Sequence, residues 1–163
     1  MVNDAALQER AERAAATVVD PEIPVVTIAD LGVLRSVTVR DGAVEVIITP
    51  TYSGCPAMSM IAVEIDLALR RAGIADARVR TVLAPAWTTD WMTEAGHRKL
   101  YEYGVAPPVP GSSRRALFGT STVPCPRCGS GDTRQLAEFG STSCKALWQC
   151  GACREPFDYF KCH

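Results

Sequence analysis

Six of the seven cysteines in this 163-residue chain lie between Cys125 and Cys162. Four of them form two spaced pairs: Cys125-Pro126-Arg127-Cys128 and, after 21 intervening residues, Cys150-Gly151-Ala152-Cys153. Two such C-x2-C turns at about this separation are the zinc-ribbon pattern. Each turn aims two sulfurs and several backbone N–H groups at one centre. Two turns on adjacent hairpins then supply four thiolates in a tetrahedron, at Zn–S distances of ~2.3 Å. A metal held that way has no open position for substrate, so its role is structural. Spacing alone also admits a rubredoxin-like iron, or four structural thiols in a core. Gly129, after the first pair, and Gly151, inside the second, permit the tight turns. Cys144 and Cys162, the latter beside His163, read either as a second, labile metal site or as idle thiols.

Cys55 stands apart from these. It follows the loop Thr51-Tyr52-Ser53-Gly54 and precedes Pro56, which suits the first position of a helix. As an N-cap, Cys55 would feel the helix dipole and free N–H groups, which favour a thiolate. Thr49, Thr51 and Ser53 add hydroxyls nearby. A thiolate there serves as a nucleophile or a soft-metal ligand, and a buried inert cysteine is the alternative. Nucleophilic catalysis needs a base, and the chain offers only His97 and His163.

The elements that must hold these residues are readable from pattern. A helix capped by Asn3 or Asp4 runs to about Val19, with Leu7, Ala11, Ala14 and Val18 on one stripe. Strands over Val33–Arg40 and Ala43–Thr49 flank Asp41-Gly42, a strong hairpin signal. Val37 and Val39 share a face of the first, and Val44, Val46 and Ile48 share a face of the second. A long apolar helix over 57–72 ends at Gly73. A third strand over Ala77–Leu83 closes at Pro85, and a helix over Thr93–Tyr103 ends at Gly104. The order α-β-β-α-β-α predicts an α+β layer: a small mixed β-sheet covered by helices, followed by a small zinc-ribbon module.

Composition bounds the rest. The chain is 47% apolar and 21% charged with net charge −1, a globular balance. No stretch approaches the ~20 apolar residues of a membrane span, and the N-terminus lacks the basic and apolar regions of a secretory signal. The chain therefore reads as cytoplasmic, where thiols stay reduced. Residues 1–108 carry net charge −4 and residues 109–163 carry +3. Cysteine density changes at the same point. The expected domains are 1–108, a linker over 109–122 rich in Pro, Gly and Ser, and a C-terminal module over 123–163 too short to fold without a metal or a partner. Arg114, Arg115 and Arg127 make only a weak nucleic-acid footprint.

Several segments taken in order resemble a known family. Asp20-Pro21-Glu22-Ile23-Pro24, Thr27-Ile28-Ala29-Asp30-Leu31-Gly32, Thr49-Pro50-Thr51-Tyr52-Ser53-Gly54-Cys55-Pro56 and Pro85-Ala86-Trp87-Thr88 are similar to the motifs of the SufT-like iron–sulfur maturation domain, over roughly residues 3–108. The segments Phe139–Leu147 and Glu155–Cys162 resemble the tail of the PaaD family of phenylacetate degradation. The resemblance implies an accessory factor of the phenylacetyl-CoA 1,2-epoxidase, a system with a di-iron oxygenase subunit and a reductase carrying flavin and a [2Fe-2S] cluster. It implies Cys55 as ligand of a labile iron–sulfur cluster or iron, with Asp20 and Glu22 in a loop approaching it. It also implies zinc at Cys125, Cys128, Cys150 and Cys153, and a homodimer in which two Cys55 thiolates share a metal.

The residues are consistent with a non-catalytic role. A di-iron oxygenase needs helical Glu and Glu-x-x-His sets, and Glu94-Ala95-Gly96-His97 is a single copy. A reductase needs a Gly-rich dinucleotide fingerprint, which is absent. Three functions remain to be weighed: an iron or iron–sulfur maturation factor, a structural subunit bridging oxygenase and reductase, and a thiol enzyme.

Overall fold

A computed structural model describes residues 4–109 and 122–161. The expected linker over 109–122 lies outside the described residues except for Val109 and Thr122, as do Asn3, Cys162 and His163. The chain divides into two compact units, Met1–Trp87 and Thr88–His163.

In the first unit, helix α1 (Asp4–Ala16) precedes strands β1 (Leu34–Arg40) and β2 (Ala43–Ile48), helix α2 (Met58–Arg71) and strand β3 (Ala77–Thr81). The sheet order is β1-β2-β3, antiparallel across the hairpin and parallel between β2 and β3. At the hairpin both Asp41 (φ 51°) and Gly42 (φ 80°) are left-handed, the backbone that a two-residue turn between right-twisted strands requires. Val44, Val46 and Ile48 are buried, as are Ile61, Ile65 and Leu69 of α2 and Leu7, Ala11 and Ala15 of α1; α1 packs on β1, β2 and α2, and α2 packs on β3. The α1 stripe therefore runs through Ala15, with Ala14 only half-buried. Helix α1 also stops three residues before Val19. Thr17 Oγ1 donates to Ala14 O at 2.8 Å, and Val19 leaves the helix to bridge Thr27.

Helix α2 ends as its glycine predicts. Gly73, at φ 79°, donates to Arg70 O, and Ile74 donates to Leu69 O across the end of the helix. This is the Schellman arrangement, with Ile74 buried beside Leu69. Strand β3 is shorter than expected because its partner stops at Ile48. Val82 N still reaches Ile48 O at 2.9 Å, but Leu83 is 57% exposed.

The second unit contains helix α3 (Glu94–Tyr103) and strands β4 (Val105–Ala106), β5 (Thr133–Ala137), β6 (Lys145–Cys150) and β7 (Pro156–Phe160), in sheet order β4-β7-β6-β5. Thr93 caps α3 by accepting the Gly96 N–H at 3.0 Å, and Gly104 (φ 89°) closes it. The sequence reading groups α3 with the first five elements. The structure puts it in the second unit, because the chain after Gly104 pairs at once with β7, Val105 opposite Asp158 and Ala106 opposite Tyr159.

The packing predicts a sharp contrast within α2. Ile65 is fully buried whereas Val63, two residues away, is 54% exposed. Ile65→Ala is expected to cost about 2–5 kcal/mol in urea unfolding, and Val63→Ala less than about 0.5 kcal/mol. Equal effects would contradict this core.

Candidate functional site

In the second unit the two cysteine pairs meet. The Sγ atoms of Cys125, Cys128, Cys150 and Cys153 all lie within 4.8 Å of one another. Cys125 and Cys153 are 3.8 Å apart, and Cys128 and Cys150 are 3.6 Å apart. A regular tetrahedron with metal–sulfur bonds of ~2.3 Å has edges of ~3.8 Å. The donor set, four sulfurs and no oxygen or nitrogen, suits zinc or another thiophilic ion.

The two knuckles are built alike. The first cysteine of each is buried and its sulfur accepts a following backbone N–H: Arg127 N reaches Cys125 Sγ at 3.4 Å, and Cys153 N reaches Cys150 Sγ at 3.5 Å. Each knuckle ends in a left-handed residue directly after its second cysteine, Gly129 at φ 76° and Arg154 at φ 67°. Gly129 does what the sequence reading asks of it. Gly151 has a different setting: its N–H donates to Asp132 O at 2.7 Å, and a side chain there would meet the exposed Asp132 carboxylate, which would have to move.

The sulfurs also compete for protons. The Cys153 N–H, together with Cys128 and other donors, draws Cys150 down to about 7. On Cys153 the Glu155 N–H pulls down, but burial and the sulfurs of Cys150, Cys128 and Cys125 outweigh it, pushing the thiol up to about 12. Cys144 stays outside the group. It is buried, with its sulfur 3.1 Å from Thr142 Oγ1. Around the cluster the apolar core is small: Ala106, Val123, Ala146, Phe157 and Tyr159 pack with the Cys125 and Cys150 thiols themselves.

In the first unit, Cys55 is half-buried and lies two residues before the α2 N-cap, which is Ala57. The expectation of Cys55 as N-cap and Pro56 as first helical residue is therefore corrected. The chain turns once more, Cys55 N donating to Tyr52 O, before the helix begins at Met58. The helix-start amides of Ala57 and Met58 nevertheless reach the sulfur and lower its pKa. Burial outweighs them, and the Glu22 and Asp20 carboxylates add to the rise, so the thiol sits above its ordinary range. The helix start alone would favour a thiolate; burial first, and then the two carboxylates, work against it.

Asp20 and Glu22 are thus within electrostatic reach of Cys55. Asp20 Oδ1 accepts the N–H groups of both Glu22 and Ile23 at 2.8 Å, which fixes the turn that carries Glu22. The neighbouring motif is tied down likewise. Asp30 and Thr27 cap each other's backbone at 3.0 Å, and the Trp87 indole donates to Leu31 O at 2.8 Å. Thr49 is buried and its hydroxyl has no hydrogen-bond partner among the described residues, Thr51 is buried, and Ser53 is exposed. Both histidines fall outside the first unit. His97 lines an apolar cavity of about 250 Å³ with Tyr101, Pro107 and Pro108, and burial lowers its pKa.

Comparison with known proteins places the chain. Residues 8–83 match the model of an iron-sulfur cluster assembly protein family, and residues 109–161 match the PaaD zinc beta ribbon domain. A relative from Escherichia coli (strain K12), named as one of the subunits of a "Putative 1,2-phenylacetyl-CoA epoxidase", is 50% identical over 143 residues, 88% of this chain and 86% of the relative. The chain belongs to the PaaD family. A Porphyromonas gingivalis (strain ATCC BAA-308 / W83) protein, "Fe-S protein maturation auxiliary factor", is 36% identical over 80 residues, 48% of this chain and 75% of that protein. The crystal structure of a domain of unknown function, DUF59, from Bacillus anthracis superposes with TM-score 0.55 at 24% identity, covering 60% of this chain and 93% of that one. That likeness supports the fold: the chain is a mixed α+β protein of this family followed by a cysteine-bearing β ribbon. Among the described residues no helix is long and apolar enough to cross a membrane.

Two measurements test the sites. Thiols must lose protons to bind metal, so the ribbon's metal should be released as pH falls and retained as it rises. A strong chelator, or Cys150→Ser, should remove about one metal per chain and make residues 123–161 protease-sensitive while leaving residues 4–87 protected; an unchanged ribbon would refute the metal's structural role. At Cys55, removing a neighbouring negative charge should lower the thiol pKa. Glu22→Gln should speed iodoacetamide labelling of Cys55 at pH 8 by about two- to fivefold, read by peptide mapping. An unchanged rate would remove Glu22 from the site.

Proposed function

We propose that this protein is an accessory, non-catalytic factor of the phenylacetyl-CoA 1,2-epoxidase system that helps supply iron or an iron–sulfur cluster to its components. The observation that carries this reading is the environment of Cys55. Its thiol is half-buried beside two carboxylates, faced by two backbone amides and without a histidine in its own unit. A nucleophile would need the opposite arrangement, a base or a cation that lowers the pKa. A cation changes the balance, because a metal-bound thiol is deprotonated outright and the carboxylates then attract the charge instead of opposing it. One sulfur flanked by Asp20 and Glu22 is an incomplete site, suited to holding cargo briefly rather than keeping it.

The cargo would be iron or a cluster held by Cys55 with help from Asp20 and Glu22, and a second copy of the chain would complete the ligand set in a homodimer. Zinc at Cys125, Cys128, Cys150 and Cys153 would fold a ribbon used for docking. The clients would be the reductase with its [2Fe-2S] cluster and the di-iron oxygenase subunit, all in the cytoplasm. The 50%-identical relative, named for a component of this epoxidase, and the 36%-identical relative, named for iron–sulfur maturation, support the two halves of the reading.

The test is a strain carrying Cys55→Ser, from which the reductase is purified without oxygen and assayed for iron and sulfide. The reading expects the variant to accumulate as folded protein while the reductase is under-loaded by half or more. A fully loaded reductase would overturn it and leave a scaffold that bridges oxygenase and reductase.

A further inference from the structure

We propose that the outward face of the first unit's sheet is a docking surface for an acidic segment of a protein partner. The register defines the face. Val44, Val46 and Ile48 point into the core, so Ala43, Glu45 and Ile47 point out. Pairing puts Arg40 opposite Ala43, Thr38 opposite Glu45, and Arg78 and Arg80 beside Glu45 and Ile47. Arg40, Arg78 and Arg80 are all exposed. They line an open cleft of about 450 Å³ with Thr38 and Ala43. Glu45 is the one carboxylate lining it, and Arg80 Nε takes that at 3.3 Å. The cleft therefore keeps a net charge of +2.

This charge does not follow from composition. The unit has eight basic and eleven acidic residues, a net charge of −3, yet three of the eight basic residues line this cleft. Asp41 and Asp76 lie beyond the strand ends and do not line it. Ala43, between Arg40 and the third strand, has a small side chain, and Arg40, Arg78 and Arg80 all line the open cleft. Guanidinium pairs with carboxylate through two parallel N–H···O bonds and is weakly hydrated, which suits a contact that must form and release. A nucleic acid is the poorer occupant. Duplex DNA carries one negative charge per ~1.7 Å and would meet the net negative charge of the rest of the unit.

The proposal rests on the reading above only in taking an epoxidase component as the partner to test. Calorimetric titration of the full, metal-loaded chain into the purified reductase and, separately, the purified oxygenase supplies the readout. One component should bind, more weakly as salt rises from about 50 to about 300 mM. Arg40→Glu combined with Arg78→Glu should weaken binding by about tenfold or more. Arg10→Glu combined with Arg13→Glu on α1 should change it by less than about twofold. Unchanged circular dichroism and melting temperature will show that both variants fold. The face is overturned if neither component binds wild type, if the sheet variant binds within twofold, or if a short DNA duplex binds this face more tightly than either component. Loss of binding in the sheet variant, with full reductase loading in the Cys55→Ser strain, would keep the docking face and discard the maturation reading. Empty reductase in that strain, with a sheet variant that still binds, would do the reverse.

Discussion

Four sulfurs within 4.8 Å cannot all behave as ordinary thiols, and the second unit is organised by that constraint. Each sulfur lowers or raises its neighbours' proton affinity, with Cys150 drawn to about 7 and Cys153 pushed to about 12. A thiophilic cation bound there would resolve the competition by replacing the protons. One apolar cluster of the unit packs Ala106, Val123, Ala146, Phe157 and Tyr159 with two of the sulfurs that converge on the centre. Hydrophobic burial and metal ligation are thus contributed partly by the same atoms, which couples folding to binding.

Cys55 is the opposite solution to the same chemistry. There one sulfur sits among oxygens, and helix-start amides that would favour a thiolate are overruled by burial and two acids. Four identical soft donors suit a thiophilic cation, whereas Cys55 offers a single soft donor in the field of two carboxylates.

The parts of this structure legible in the sequence are those fixed by local rules. The Asp41-Gly42 turn, the Gly73 and Gly104 helix ends and the two cysteine knuckles all follow from residues within a few positions of one another. What was missed depends on distant partners. Arg154 takes the left-handed place that Gly129 fills in the other knuckle, a role no sequence signal marks for an arginine. The direction of the Cys55 shift is set first by burial, and the carboxylates of a turn more than 30 residues upstream add to it. Leu83 continues an alternating pattern but is exposed because its partner strand has already ended. The resemblance to known motifs did identify the family, yet it could not convey which way the thiol titrates.

Strand β4 changes what a boundary means in this chain. Val105 and Ala106 are only two residues, yet they cover one edge of β7, whose other edge is taken by β6. The chain leaves this sheet after Ala106 and is back in the same unit's core by Val123, so the intervening stretch is flanked on both sides by one unit. A fragment begun after the stretch would expose the backbone N–H and C=O groups of β7, an open edge of the kind that recruits strands from other molecules.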